Sequence, residues 1–262
     1  MTSQSVFLVV PSNSEAKSYP ENNTSNFTVP LPYSITFGKG WKVALLEIQL
    51  PMTFYNLDDN LRQNRITLVE GTEEDLVNLT PGLYTTADSL IEEVNERIAD
   101  SKLNFRQFKY EKVTRKVYIQ LRENQKIKFS SRIASILSLP DTLKYSPSRK
   151  STKTFKSKTQ IDPWRDFHHL FVYSDIVENS VLNDSMTPLL QTVNVPSNQF
   201  GSLLVRSYFP PEFIGTRYEH YSALKVWIRN EAQDFVRFRS GPVVLKLLIT
   251  NGGSSRNESG LE

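Results

Sequence analysis

Short apolar runs, most of them with a two-residue repeat, recur along this chain and limit its fold more than any other feature. The last run places Val243, Leu245, Leu247 and Ile249 at alternate positions. Alternate side chains of a β-strand point to the same face, so such a run predicts a strand with one buried face. Three runs precede residue 52 and five follow residue 164. They span residues 6–10, 27–32, 41–50, 170–173, 189–195, 203–209, 224–229 and 243–249.

Eight antiparallel strands in two facing sheets are typical of a jelly roll. The sequence therefore predicts a mainly β fold, an antiparallel jelly-roll β-sandwich with a small α+β insertion. The sandwich is expected to comprise residues 1–51 and 165–250, with the insertion at 52–140. Residues 251–262 are polar and rich in Gly and Ser, which predicts a disordered tail.

The insertion differs from the rest because its pattern changes to a helical period. Residues 85–100 carry a single apolar stripe at helical spacing, and Thr85 with Asp88 is compatible with a capping box. A second, shorter helix is expected at 131–139, ended by Pro140. Strand-like runs at 116–121 and 126–129 predict a hairpin around the intervening residues.

Prolines mark one strand as special. Pro30 and Pro32 alternate with Val29 and Leu31 in the second run. Proline has no N–H to give to a sheet, so this strand is expected at an edge or beside a bulge.

The third run is apolar on more than one face. Ala44, Leu46, Ile48 and Leu50 share the expected core face, while residues 41, 43 and 45 begin the opposite one. Trp227 likewise lies on the face of its strand that is opposite the more apolar face. Either a segment of the same chain covers these side chains, or a second subunit does. The candidate subunit interface is Trp41, Val43, Leu45 and Trp227.

Residues 141–164 predict a basic, mobile loop, because they are rich in Ser, Thr and Lys and have little to bury. Three interpretations stay open: a solvated loop, a contact with packaged nucleic acid or another acidic surface, and a nuclear-localisation patch. The candidate basic contact residues are Lys144, Arg149, Lys150, Lys153, Lys156 and Lys158.

Motifs of catalysis are not evident in the sequence. The chain has no cysteine, which excludes disulfides and cysteine-ligated zinc. It has no phosphate loop, dinucleotide fingerprint, HExxH or GxSxG motif. His168 and His169 are adjacent, so on a strand they would point to opposite faces rather than to one metal. We therefore expect no enzymatic activity and no cofactor. Neither a signal peptide nor an apolar run long enough to span a membrane is evident.

The order of segments resembles a known family. The segments are PSN at 11–13, NNTSNFTVPLP at 22–32, GKGWKVALLEIQLP at 38–51, FYN at 54–56, PGLYTTADSLIEEVN at 81–95, KVYIQL at 116–121, IKFSSRIASILSL at 127–139, LFVYSDIV at 170–177, PLLQTV at 188–193 and FRSGPVVLKLLI at 238–249. This order is similar to that of the penton, the minor single jelly-roll capsid protein of Polinton (Maverick) elements and adintoviruses.

The resemblance implies a structural virion protein. It implies a homopentamer at the five-fold vertices of an icosahedral capsid, next to a double jelly-roll major capsid protein. It also implies location in the virion, after synthesis in the host cytoplasm and possible assembly in the nucleus. Two other classes of function stay open: a β-sandwich module that binds carbohydrate or a cell surface, and a hydrolase on a jelly-roll scaffold.

Overall fold

The computed structural model separates the chain into two compact units. One comprises Met1–Phe54 with His168–Glu262, and we call it the sandwich; the other is Tyr55–Phe167, the insertion. The structure describes residues 4–14, 18–59, 62–145, 151–182, 184–196, 200–217 and 219–251. All of the predicted tail except residue 251 lies outside them.

The longest strands belong to the sandwich, while both described helices belong to the insertion. In chain order they are β1 (Ser5–Pro11), β2 (Asn26–Thr36), β3 (Lys42–Pro51), β4 (Arg65–Glu70), β5 (Glu73–Asn78), α1 (Ala87–Ala99), β6 (Lys109–Glu111), β7 (Lys116–Arg122), β8 (Gln125–Phe129), α2 (Ser131–Leu137), β9 (Thr142–Lys144), β10 (Thr152–Lys156), β11 (His169–Ser174), β12 (Ser180–Leu182), β13 (Ser185–Thr187), β14 (Leu189–Asn194), β15 (Leu203–Ser207), β16 (Ile214–Gly215), β17 (His220–Arg229) and β18 (Val244–Thr250).

The eight main strands of the sandwich form two antiparallel sheets, with four of these strands in each. The first has the order β1-β18-β3-β15, with the short β16 paired to β3, and the second has the order β14-β11-β17-β2. When these eight strands are renumbered 1 to 8 in chain order, the two sheets have the strand orders 1-8-3-6 and 5-4-7-2. Consecutive strands therefore lie in opposite sheets except for the fourth and fifth, which is the connectivity of a jelly roll built from Greek keys. The predicted fold class is confirmed.

The inner face of the first sheet follows from its pairing. Residues directly opposite each other in antiparallel strands lie on the same face. Ile249 is opposite Val43, Leu247 is opposite Leu45, and Leu245 is opposite Ile48. These six side chains are each at most 2% exposed. Burial of one such side chain contributes about 1.5–3 kcal/mol, so this face anchors the sandwich.

A β-bulge in β3 changes which residues face the core. The pairing with β18 shifts between Lys246 and Leu247, so that Leu46 is an extra residue on the β3 side. A one-residue shift exchanges the faces of all the residues beyond it. Val43 and Leu45 therefore share the core face with Ile48, and the predicted core face that grouped Ala44 and Leu46 with Ile48 is wrong. The bulged Leu46 is half-buried, and its carbonyl accepts the N–H of Tyr208 at 2.9 Å.

The proline-bearing strand β2 is an edge strand, as predicted. Among the described strands its partner is β17, and it forms one end of the second sheet. Its pairing is irregular where Pro30 lies opposite Ala223 and Ile35 lies opposite Tyr221. Pro32 lies within this irregular stretch, where no ladder N–H is required of it.

The insertion forms a core of its own from two sheets and two helices. The sheets have the orders β5-β4-β8-β9 and β10-β7-β6. Helix α1 buries the predicted stripe, but its N-cap is Thr86, whose side chain accepts the N–H of Ser89, rather than Thr85. The buried stripe is Leu90, Ile91, Val94 and Ile98.

Two predictions for the insertion are wrong. Strands β7 and β8 do not form a hairpin: β7 pairs with β6 and β10, while β8 pairs with β4 and β9. Gln125 carries the chain from one sheet to the other, and its amide donates to Glu70 and to the carbonyl of Asn104. The stretch 141–164 is not a loop throughout, because it contributes β9 and β10.

The first and last residues of the insertion, 55–58 and 163–167, are held together, and we call them the closing segments. The side-chain amide of Asn56 donates to the carbonyl of Pro163 at 2.8 Å. Arg132 of α2 is 8% exposed, and its guanidinium donates to the Asn56 carbonyl, the Arg165 carbonyl and the Asp166 carboxylate. The guanidinium also lies 5.3 Å from the Phe167 ring centre. One buried cation thus satisfies acceptors from both closing segments.

Candidate assembly surfaces

The structure places two of the four candidate interface residues in the core of the sandwich. Val43 is 0% exposed and Leu45 is 2% exposed, because the bulge at Leu46 puts both on the core face of the sheet, together with their β18 partners. Neither side chain can contact another subunit. The expectation that Val43 and Leu45 lie on a half-covered outer face is therefore wrong.

Trp41 is half-buried and has contacts within the sandwich. Its ring centre lies 5.6 Å from that of Phe37, and its carbonyl accepts the N–H of Thr216 at 3.1 Å. It borders an open groove of about 510 Å³, with Glu178 and Gly215 on the same groove. A part of Trp41 is thus accessible, while its position is fixed by its own chain.

Trp227 is also partly covered by its own chain. It stacks on Tyr173 with ring centres 5.7 Å apart and planes 14° from parallel. The Tyr173 hydroxyl donates to Gln233, and the Arg229 guanidinium lies 4.5 Å from the Phe235 ring centre. The residues that follow β17 therefore fold back over this face of the sheet.

Exposed apolar side chains lie elsewhere, at the two edges of the first sheet. On β1, Phe7 is 56% exposed and Val9 is 52% exposed; we call these two residues the β1 patch. Phe7 is opposite Leu248 and Val9 is opposite Lys246, so both point to the outer face of the sheet. Strand β1 pairs with β18 alone in the described part of the chain.

The opposite edge strand, β15, carries a second apolar group. Leu203 is 53% exposed and Val205 is 46% exposed, and Phe209, just after the strand, is 94% exposed; we call these three residues the β15 patch. Leu203 and Val205 are opposite Pro51 and Gln49, while the alternate residue Leu204 is buried. Leu203 and Val205 therefore lie on the outer face, as Phe7 does.

The middle of this outer face is polar. Glu47 and Lys246 are directly opposite each other and form an ion pair at 2.9 Å. The amide of Gln49 donates to Glu47 at 2.8 Å. The Gln49 amide, and then Lys246, lower the pKa of the Glu47 carboxyl. The outer face thus has two different apolar patches on its rims, with a charged pair between them.

The basic candidates do not form one loop. Lys144 ends β9, Lys153 and Lys156 are in β10, and Lys158 follows it. Arg149 and Lys150 lie outside the described residues. In β10, Lys156 is opposite Tyr118 and Lys153 is opposite Leu121, so the two lysines are on different sides of the strand.

The histidines act as separate hydrogen-bonding groups. His169 contacts Glu231 at 2.6 Å, and His220 contacts Thr36 at 2.8 Å. Within the described ranges, no group of three or more His, Asp or Glu side chains is placed to hold a metal ion. Neither described helix is long and apolar enough to cross a membrane.

Sequence reasoning missed both rim patches, although a signal exists for one of them. Residues 6–10 are all apolar, so alternation alone cannot tell the inward Leu8 from the outward Phe7. A strand with apolar side chains on both faces is expected to be covered on both faces, by its own chain or by another subunit. In the third run, which is also apolar on both faces, the bulge at Leu46 moves Val43 and Leu45 to the core face instead.

Comparison with known proteins gives likenesses of structure. No family model and no curated protein matches the chain. Among solved structures, the chain is similar to the mavirus penton protein, with 11% identity, a TM-score of 0.49, and coverage of 94% of this chain and 99% of that one. It is also similar to a chain of the Sputnik virophage structure, with 9% identity, a TM-score of 0.44, and coverage of 94% and 97%.

Proposed function

We propose that this protein is a structural component of a viral capsid, a penton that assembles as a ring of five around the five-fold vertices. Its location is then the virion. Its neighbour in the shell is a double jelly-roll major capsid protein. The order of sequence segments described above supports the penton assignment and is the source of the number five.

The observation that carries the assembly proposal is the pair of apolar patches on opposite rims of one sheet. A closed ring requires a heterologous contact, in which one surface of each copy meets a different surface of the next. The β1 patch and the β15 patch differ in their residues and lie on different edge strands. Each copy thus carries both halves of such a contact.

The exposure of these side chains supports the same conclusion. Contiguous exposed apolar patches on a protein surface mark interaction sites, and we interpret the grouped phenylalanine, leucine and valine side chains on these two edges in this way. The charged pair Glu47–Lys246 lies between the patches on the same face. In this proposal, each rim patch meets the other patch on the next copy, while the charged pair stays hydrated.

The test is the mass of the purified full chain and of two variants. Mass photometry and negative-stain microscopy of the unchanged chain are expected to show rings of five copies. The double variant Phe7→Glu, Val9→Glu is expected to be monomeric with an unchanged melting temperature. Val181→Glu is the control, because Val181 is 73% exposed on β12, which pairs with β13 and not with a strand of the first sheet. A monomer of the unchanged chain at high concentration, or dissociation by the control, would contradict the proposal.

A further inference from the structure

The outer face of the sheet β10-β7-β6 carries a groove that the assembly proposal does not use. The groove has a volume of about 580 Å³, which is within the usual range for ligand sites. It lies within the insertion. Its lining combines cations, amides, hydroxyls and tyrosine rings: Arg106, Gln107, Lys109, Tyr110, Glu111, Tyr118, Gln120 and Thr154.

The register of the three strands explains why these side chains meet. Val117, Ile119 and Leu121 of β7 are buried in the core of the insertion. The alternate residues Tyr118 and Gln120 therefore point outward. Their neighbours across the sheet do so too, and these are Lys109 on β6 with Thr154 and Lys156 on β10.

Tyr118 lies at the centre of a row of positive charge. Lys109 is opposite it on one side and Lys156 on the other. The Lys156 ammonium lies 4.6 Å from the Tyr118 ring centre. Within the described part of the chain, neither lysine forms an ion pair with a carboxylate. An anionic group in this row would meet the side chains of two lysines whose strand positions flank Tyr118.

The single carboxylate of the lining is already engaged. Glu111 accepts the hydroxyls of Thr114 and Tyr118. These two hydrogen bonds, that of Thr114 first, lower the pKa of the Glu111 carboxyl, so it stays ionised and fixes the Tyr118 hydroxyl. Arg106 and Lys109 of the lining, together with Lys156 next to the Tyr118 ring, outnumber this carboxylate, so the site favours a negatively charged ligand.

The neutral groups identify the class of ligand. The Gln120 amide is held by Arg106 and donates to Thr154 at 3.3 Å, and Gln107 lines the same groove. Amides and hydroxyls that both donate and accept are suited to the hydroxyl groups of sugars. Single-stranded nucleic acid instead needs successive aromatic platforms. Here the outward ring of Tyr118 has Lys156 over it.

We propose that this groove binds an anionic oligosaccharide, a sugar chain that carries carboxylate or sulfate groups. Lys109, Lys156 and Arg106 contact the acidic groups, while Gln107, Gln120 and Thr154 contact sugar hydroxyls. The proposal does not depend on ring assembly, because every residue of the site belongs to one insertion.

The experiment titrates the full chain with four probes, using calorimetry or NMR. They are a heparin tetrasaccharide, 3′-sialyllactose, neutral lactose and a ten-residue deoxythymidine oligonucleotide. At least one acidic sugar is expected to bind. Binding of 3′-sialyllactose would show that a carboxylate is sufficient, whereas binding of the heparin tetrasaccharide alone would show that the sulfate-bearing chain is required. Lactose is not expected to bind, and added salt is expected to weaken the complex.

Matched lysine variants test the position of the site. Lys156→Ala and Lys109→Ala are each expected to weaken binding about tenfold. Lys153→Ala removes the same charge from the same strand as Lys156, but from its other side, and should leave the affinity unchanged. Comparison of melting temperatures shows that each variant is folded. Saturation by neither acidic sugar, tighter binding of the oligonucleotide, equal binding of lactose, or an equal loss in Lys153→Ala would overturn the proposal.

Discussion

Arg132 and Asp166 form an ion pair in which the guanidinium comes from the middle of the insertion and the carboxylate from its last residues. The same guanidinium donates to the Asn56 carbonyl at 3.0 Å, near the first residues of the insertion. A cation that is 8% exposed therefore connects both closing segments.

Arg132→Met is expected to destabilise the insertion by about 3–5 kcal/mol, because it leaves Asp166 and two backbone carbonyls without their donor. Hydrogen exchange with mass spectrometry can follow each unit separately. We expect faster exchange in peptides from α2 and β8 and unchanged exchange in those from β1 and β18. Arg122→Met is the control, because Arg122 is exposed on β7. Equal effects of the two substitutions would show that the buried cation has no special role.

The bulge at Leu46 predicts an uneven cost of truncation along β3. Leu45→Ala is expected to lower the free energy of unfolding by about 2–5 kcal/mol, since Leu45 is 2% exposed. Leu46→Ala is expected to cost less than half as much, because Leu46 is half-buried and outside the regular pairing. Urea unfolding of the two variants measures the difference. A greater loss for Leu46 would place the core face where simple alternation puts it.

Heterologous contact can be distinguished from symmetric pairing by mixing two variants. The variant Phe7→Glu, Val9→Glu retains an intact β15 patch, while Leu203→Glu, Val205→Glu retains an intact β1 patch. Each alone is expected to be monomeric, but an equal mixture is expected to form one-to-one dimers joined by a single native contact. Native mass spectrometry of the mixture measures this. If either variant alone still forms dimers, the contact joins like patches instead.

Asp175 predicts a pH dependence of stability. Burial raises the pKa of its carboxyl above the ordinary value of 3.8, although the Lys225 N–H donates to it at 3.0 Å. The folded state therefore binds this proton more tightly than the unfolded state. This contribution to stability is present below the unfolded pKa and decreases as the pH rises through the raised folded pKa.

Asp175→Asn keeps an oxygen acceptor for the Lys225 N–H and removes the partly buried charge. We expect its melting temperature to exceed that of the unchanged chain by about 2 °C at neutral pH. The difference should vanish in acid, where Asp175 is protonated in both states. Asp75→Asn is the opposite control, because the Ser101 hydroxyl lowers the pKa of Asp75. That substitution should lower the melting temperature at neutral pH, and calorimetry over a pH series measures both.

The strand pattern predicted the jelly roll because the inward positions of its strands are apolar. The run at Val243, Leu245 and Leu247 shows this most clearly. The same pattern misled in β3, where Ala44, Leu45 and Leu46 are all apolar and alternation cannot locate a bulge. The bulge depends on the partner β18 and on Tyr208, which are distant in sequence.

The groove of the insertion was only partly visible in the sequence. Lys156 was among the basic candidates, but Lys109, Tyr118 and Gln120 come from other strands. Strand β10 does have a local sequence signal, because Thr152, Thr154 and Phe155 have side chains that favour β-strands. The high lysine content of the segment instead suggested a loop. Pairing across three strands, rather than proximity along the chain, creates the site.

The hydrogen bond between Asn56 and Pro163 also has a consequence for the evolution of the fold. Loop closure costs entropy according to the freedom of the chain between the joined ends. The hydrogen bond joins residues near the two ends of the insertion. For the strands before and after it in the chain, the insertion is therefore equivalent to a short connection. A segment joined in this way can be lengthened, shortened or exchanged for another without a change in the order of the eight strands. In the two proposals above, the ligand groove belongs to the insertion and the assembly patches belong to the sandwich, so each could then evolve without change to the other.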